Sequence, residues 1–145
     1  NLNCAANQLQ LISVINNQML TNFQCQGNQL TSLDLSNNIM LDSLACLANQ
    51  LTNLDLSNNI NLIALSCGAN QLTTLNISNN INLQGINCDD NDLVSLDLRN
   101  GSNQQLGLSC TQNLQLSCID VDNVAWSTSN WTNIDPHHYF SEDCP

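Results

Sequence analysis

Five cysteines, Cys4, Cys25, Cys46, Cys67 and Cys88, recur with a constant period of 21, and an asparagine stands three positions after each: Asn7, Asn28, Asn49, Asn70 and Asn91. Around them the sequence is nearly copied: LACLAN at 44–49, LSCGAN at 65–70, INCDDN at 86–91. A second near-copy fills each interval: LTSLDLSNN (30–38), LTNLDLSNN (51–59), LTTLNISNN (72–80) and LVSLDLRN (93–100). The first copy, LQLISVINN (9–17), is degraded but keeps Leu9, Ile12 and Val14. A fixed period of this length marks stacked structural repeats.

Apolar residues alternate around each cysteine, which suits a short strand. One such strand per repeat cannot bury its apolar face alone. The coils must therefore stack, share one core and hydrogen-bond neighbour to neighbour. The expected architecture is a right-handed solenoid with a short parallel sheet on its concave face and little helix. The asparagine tolerates the turn after the strand, and its carboxamide can bond backbone groups of its own and the adjoining coil. A buried asparagine ladder is expected. The step from Cys88 to Cys110 exceeds the period by one, with the insertion in the turn-forming stretch 100–103. Cys110 and Asn113 restore the register, giving six coils over residues 1–113.

Beyond Asn113 the repeat is no longer legible. Residues 118–145 hold both Trp, the Tyr and both His. Residues 114–145 are expected to cap the core with these aromatics, with a short helical turn near 122–127. At the other end, Asn1-Leu2-Asn3-Cys4 enters a strand block directly. That edge is expected to be covered by upstream residues lost from the chain or by a weak homodimer through the N-terminal edge, or else to stay open or be covered by its own residues. The opening NLNCAANQ is neither basic nor apolar, so any signal peptide is expected to be gone.

The blocks resemble the bacterial leucine-rich repeat, in its 21-residue class with a nested L-x-x-L-x-C-x-x-N-x-L / L-x-x-L-D-L-x-x-N unit and a cysteine ladder. The resemblance covers roughly residues 1–113. Residues 114–145 resemble the closing segment of secreted leucine-rich repeat proteins from bacteria that use type IX secretion. The resemblance implies a leucine-rich repeat solenoid, extracellular or on the bacterial cell surface, binding a protein or a surface polysaccharide in adhesion or substrate capture. The alternative it leaves open is a structural spacer within a larger secreted protein. It also makes the concave face the binding face. One stripe there reads Asn3, Gln24, Ala45, Ser66, Asn87, Ser109, and the next Ala5, Gln26, Leu47, Gly68, Asp89, Thr111. The binding candidates are Asn3, Gln24, Gln26, Ser66, Asn87, Asp89, Ser109 and Thr111. The face has no aromatic residue, whereas protein hot spots favour Trp, Tyr and Arg.

The structural residues expected to point inward are Cys4, Cys25, Cys46, Cys67, Cys88 and Cys110, with Asn7, Asn28, Asn49, Asn70, Asn91 and Asn113 as the ladder. The thiols read as free, buried apolar groups, since a one-dimensional row cannot enclose zinc tetrahedrally. Cys118 and Cys144 are off register and bracket the closing segment. A disulfide between them is expected, which places the chain in an oxidising compartment.

Charge removes several function classes. The formal net charge is −11, lysine is absent and Arg99 is the one Lys or Arg. A phosphate-tracking nucleic-acid binder needs several cations, as does attraction to an anionic membrane. No run of apolar residues is long enough to span a bilayer. The polar mass is instead 27 Asn and 13 Gln. Asp89, Asp90 and Asp92 are calcium candidates by chemistry, without a D-x-D-x-D-G loop and with a solvated face as the alternative. Asp34, Asp55 and Asp97 share one repeat position, where local donors such as Ser36 and Ser57 can hold them. His137-His138 reads as a surface pair, since a Cys–His nucleophile would need a free Cys144. With no nucleophile–base set and no phosphate loop, neither catalysis nor a cofactor is expected.

Overall fold

The computed structural model describes residues 1–101 and 103–145. The insertion turn expected at 100–103 includes Ser102, which lies outside the described residues. In chain order the strands are β1 (Leu2–Asn3), β2 (Asn22–Gln24), β3 (Ser43–Ala45), β4 (Ala64–Ser66), β5 (Thr74–Asn76), β6 (Gly85–Asn87), β7 (Ser95–Asp97), β8 (Gly107–Ser109), β9 (Cys118–Asp120) and β10 (Tyr139–Ser141). The α-helix among the described residues, α1 (Val124–Asn130), lies between β9 and β10, and a short 3-10 turn (Asn103–Gln105) precedes β8. All pairing is parallel. One sheet runs β1-β2-β3-β4-β6-β8, and a second runs β10-β9-β7-β5. The second sheet goes beyond the single sheet expected. It forms on L-x-x-L-x-L, whose period-2 centre suits a strand as well as the cysteine block does.

In the first sheet Phe23, Leu44, Leu65, Ile86 and Leu108 align across neighbouring strands, and all are buried. Cys25, Cys46, Cys67, Cys88 and Cys110 are buried beside them, while Cys4 in the first coil is half-buried. The core is thus a stack of near-identical layers rather than a single cluster. Each coil turns through a left-handed residue just before its ladder asparagine. These are Ala6, Gly27, Ala48, Ala69, Asp90 and Gln112, with φ from 51° to 67°. Only one of the six is glycine, so the turn is held by the bonds of the asparagine after it.

The solenoid makes about seven turns, one more than the six coils expected. Leu96 pairs with Ile119 and Asp97 with Asp120, so Leu116, Ile119, Val121 and Asn123 repeat Leu93, Leu96, Leu98 and Asn100. Asn123 then becomes the N-cap of α1, its side chain accepting the Trp126 amide. The helix lengthens the return path, so Ile134 reaches the slot beside Cys110 later in the chain than the repeat period would bring it. Inserted helix and lost Cys hide this turn in the sequence. Trp131 closes the core end, 4% exposed, with Nε1 donating to the Leu106 carbonyl at 2.7 Å. Trp126 and Phe140 pack on its ring. Cys118 and Cys144 form the disulfide, Cα atoms 5.9 Å apart.

Candidate functional site

Strand alternation sets the concave face. In each first-sheet strand the central residue points inward, so its neighbours point out. The structure adds a third outward stripe to the two read from sequence: Asn22, Ser43, Ala64, Gly85 and Gly107. Together with Ala45, Ser66, Asn87 and Ser109, the last four of these line a shallow trough along β3, β4, β6 and β8. Its walls are small enough to bring a ligand against the strand backbones. Gln24, Ser66, Asn87 and Ser109 are half-buried and Asn3 is exposed.

Two ladders hold this face rigid. Asn70 Nδ2 donates to the carbonyls of Cys67 (3.0 Å) and Gly68 (3.2 Å) in its own coil and of Cys46 (3.2 Å) in the previous one, while Oδ1 accepts from Leu51 N at 3.0 Å. Asn28, Asn49 and Asn91 repeat this set, and Asn113 repeats most of it. Asn7, exposed in the first coil, bonds its own Cys4 and Ala5 carbonyls. The second ladder, Asn38, Asn59 and Asn80, is fully buried and lies outside the ladder positions expected from sequence. Each donates to two carbonyls of the previous coil, as Asn80 does to Leu56 and Asn59. Its signal is the doublet Asn-Asn at 37–38, 58–59 and 79–80, where only the second residue turns inward.

Asp89 bonds two of the trough residues, Asn87 and Ser109, and is saturated by protein donors. It accepts from Asn87 Nδ2 (2.9 Å), Ser109 Oγ (2.6 Å), Thr111 N (2.6 Å) and Thr111 Oγ1 (3.0 Å). Asp90 sits in the left-handed turn, and both it and Asp92 are exposed. The structure does not gather these three carboxylates into a calcium site. Asp34, Asp55 and Asp97 each fold back on the amide two positions on, from Ser36, Ser57 and Arg99. The Ser36 side chain and then its amide hold the Asp34 carboxyl below its usual range, the Ser57 amide and then its side chain do so for Asp55, and the Arg99 side chain leads in Asp97.

The closing segment gathers chemistry that the sequence does not reveal. Cys110 N donates to Asn133 O, as Cys88 N does to Ser109 O, so Asp135 occupies the slot of Thr111. The Asp135 carbonyl is taken by His138 N at 3.0 Å. Its carboxylate therefore receives the last coil's free donors, Gln112 N and Asn113 N, each at 2.9 Å. His138 is not the surface residue expected. It is 8% exposed, with Nε2 3.3 Å from the Asn113 carbonyl and 3.4 Å from Asp135 Oδ2. Burial pushes its pKa down. His137 stays exposed against the His138 ring.

On the outer edge, Ile39, Ile60 and Ile81 are 54%, 53% and 56% exposed. Each directly follows an Asn-Asn doublet, so the repeat itself prints this surface stripe.

Stacked parallel strands, inward Leu and Cys, and asparagine-held turns define a leucine-rich repeat solenoid with a cysteine ladder. Comparison with solved structures agrees. The functional domain of InlJ from Listeria monocytogenes, which includes a cysteine ladder, matches 92% of this chain at 28% identity, with a TM-score of 0.71. A leucine-rich repeat protein of Leptospira interrogans matches 97% at 21% identity, with a TM-score of 0.65, and bears on the fold alone. The chain spans 34% and 42% of those two chains. No family model and no curated protein matches it.

Proposed function

We propose that the chain is a non-catalytic, extracellular or cell-surface module that binds a protein or a surface polysaccharide through its concave face. The likeness to the cysteine-ladder domain of InlJ supports a binding role in general. The observation that carries the reading is the trough, an array of small, mostly uncharged side chains on strands spaced at ~4.8 Å. The asparagine ladders fix that spacing, so binding costs little ordering of the protein. The ligand is held by shape and by repeated hydrogen bonds to groups such as Gln24, Ser66, Asn87 and Ser109. With no aromatic anchor on the face, each site is weak and affinity comes from many sites. The Cys118–Cys144 disulfide supports an oxidising compartment. No helix among the described residues is long and apolar enough to cross a membrane.

The test is a screen of immobilised glycans and surface proteins, followed by paired variants. Ser66→Trp with Asn87→Trp should abolish capture, whereas Ser57→Trp, outside the trough, should leave it intact. Equal binding by both variants would remove the concave face from the reading. Failure to capture any ligand would favour the spacer role.

A further inference from the structure

We propose that Asp135, His137 and His138 form a binding site for a divalent transition-metal ion of the zinc class. The three side chains come from one short turn, and their donor atoms lie within 4.8 Å of one another. The segment is preorganised. Asp135-Pro136-His137-His138 is a turn closed by His138 N donating to Asp135 O at 3.0 Å, with proline at its second position, where the fixed φ suits it. Both ends are anchored. Asp135 receives two backbone amides of the last coil, and Tyr139 N donates to Ser117 O at 2.9 Å as β10 joins β9.

The separations favour an ion over a hydrogen bond. His138 Nε2 stands 3.4 Å from Asp135 Oδ2 and 3.3 Å from the Asn113 carbonyl. Good N–H···O bonds fall at about 2.7–3.2 Å. Two ligands on a tetrahedral zinc with bonds of about 2.0–2.1 Å lie roughly 3.3–3.4 Å apart, which is the spacing found. The other ring nitrogen, Nδ1, is buried with no hydrogen-bond partner among the described residues. Two imidazoles with one carboxylate select zinc and its neighbours; calcium and magnesium prefer all-oxygen sets. The charge of −11 raises the local concentration of cations. A bound ion would tie the closing turn to the carboxylate that terminates the last coil.

The experiment uses the full chain with its disulfide intact. Calorimetry with zinc should show saturable binding of one ion per chain, and zinc should raise the melting temperature reversibly with chelator. His137→Ala is the decisive variant, because His137 is exposed and its loss should leave the metal-free melting temperature unchanged. It should weaken zinc binding at least about tenfold. Cobalt should give a visible spectrum of nitrogen and oxygen ligation, and excess calcium should not compete. Absence of saturable zinc binding would overturn the proposal, as would equal affinity in His137→Ala. A thiolate-to-cobalt charge-transfer band would also overturn it, by assigning the metal to the ladder cysteines.

Discussion

Asn70→Ala is the sharpest test of how the coils are held. The substitution removes one acceptor and three donor contacts, with distances from 3.0 to 3.2 Å. The dominant loss is at Leu51, which is 0% exposed and whose amide then faces Cβ with no partner. An unsatisfied buried donor costs about 1–3 kcal/mol. The Cys46 and Cys67 carbonyls each lose a bond worth about 1 kcal/mol net. The total is roughly 3–5 kcal/mol, or about 6–20 °C in melting temperature for a chain of this size. Asn79→Ala is the control. Its carboxamide is exposed and makes a single bond, to Ser57 O at 3.2 Å, so its loss should cost under about 0.5 kcal/mol. Urea unfolding followed by circular dichroism measures both. Equal losses would refute the ladder as the device that joins the coils.

Burial pushes the Cys25 and Cys67 thiols up to about 12 from an ordinary value of 9.0. The unfolded chain therefore ionises first, and stability is complete below pH 9 and lost as pH rises towards 12. The slope should reach about 1.4 kcal/mol per pH unit for each such thiol, and a urea midpoint that stays flat above pH 9 would contradict the burial. Mass spectrometry without reductant should find Cys118 joined to Cys144 and six free thiols. Reducing that bridge, whose sequence separation is 26, should cost about 3 kcal/mol, and no change in melting on reduction would count against it. Trp131→Phe should cost about 1–2 kcal/mol by leaving the Leu106 carbonyl without its donor. Trp131→Ala should cost about 3–5 kcal/mol; a near-neutral Trp131→Ala would show that Trp131 does not close the core.

What could be read from the sequence was what repeats. The cysteine and asparagine positions recur because each coil meets the same neighbours, so one physical requirement is printed several times. The final turn meets the same packing requirement with different spacing. Leu116, Ile119 and Val121 keep the apolar pattern, but α1 delays the return to the first sheet. The second ladder is hidden for another reason. Asn37 and Asn38 are neighbours of one type, and only the backbone decides that Asn38 is buried while Asn37 is exposed. Hydropathy treats the pair alike.

The closing site is hidden because its residues serve roles that arise once. In every interior coil, the amide of the left-handed residue donates to a carbonyl of the next coil, as Ala48 N does to Gly68 O and Ala69 N to Asp89 O. At Gln112 the next carbonyl belongs to Asp135, and His138 N already holds it. The carboxylate of that same residue takes its place. An aspartate before a proline suits this substitution, because proline has no amide to compete for the carboxylate and helps set the turn that occupies the carbonyl. Asp-Pro-His-His is therefore the point where strand stacking gives way to side-chain termination. Burial of His138 is a consequence of that turn, since it folds the ring back over Asn113, the last ladder residue.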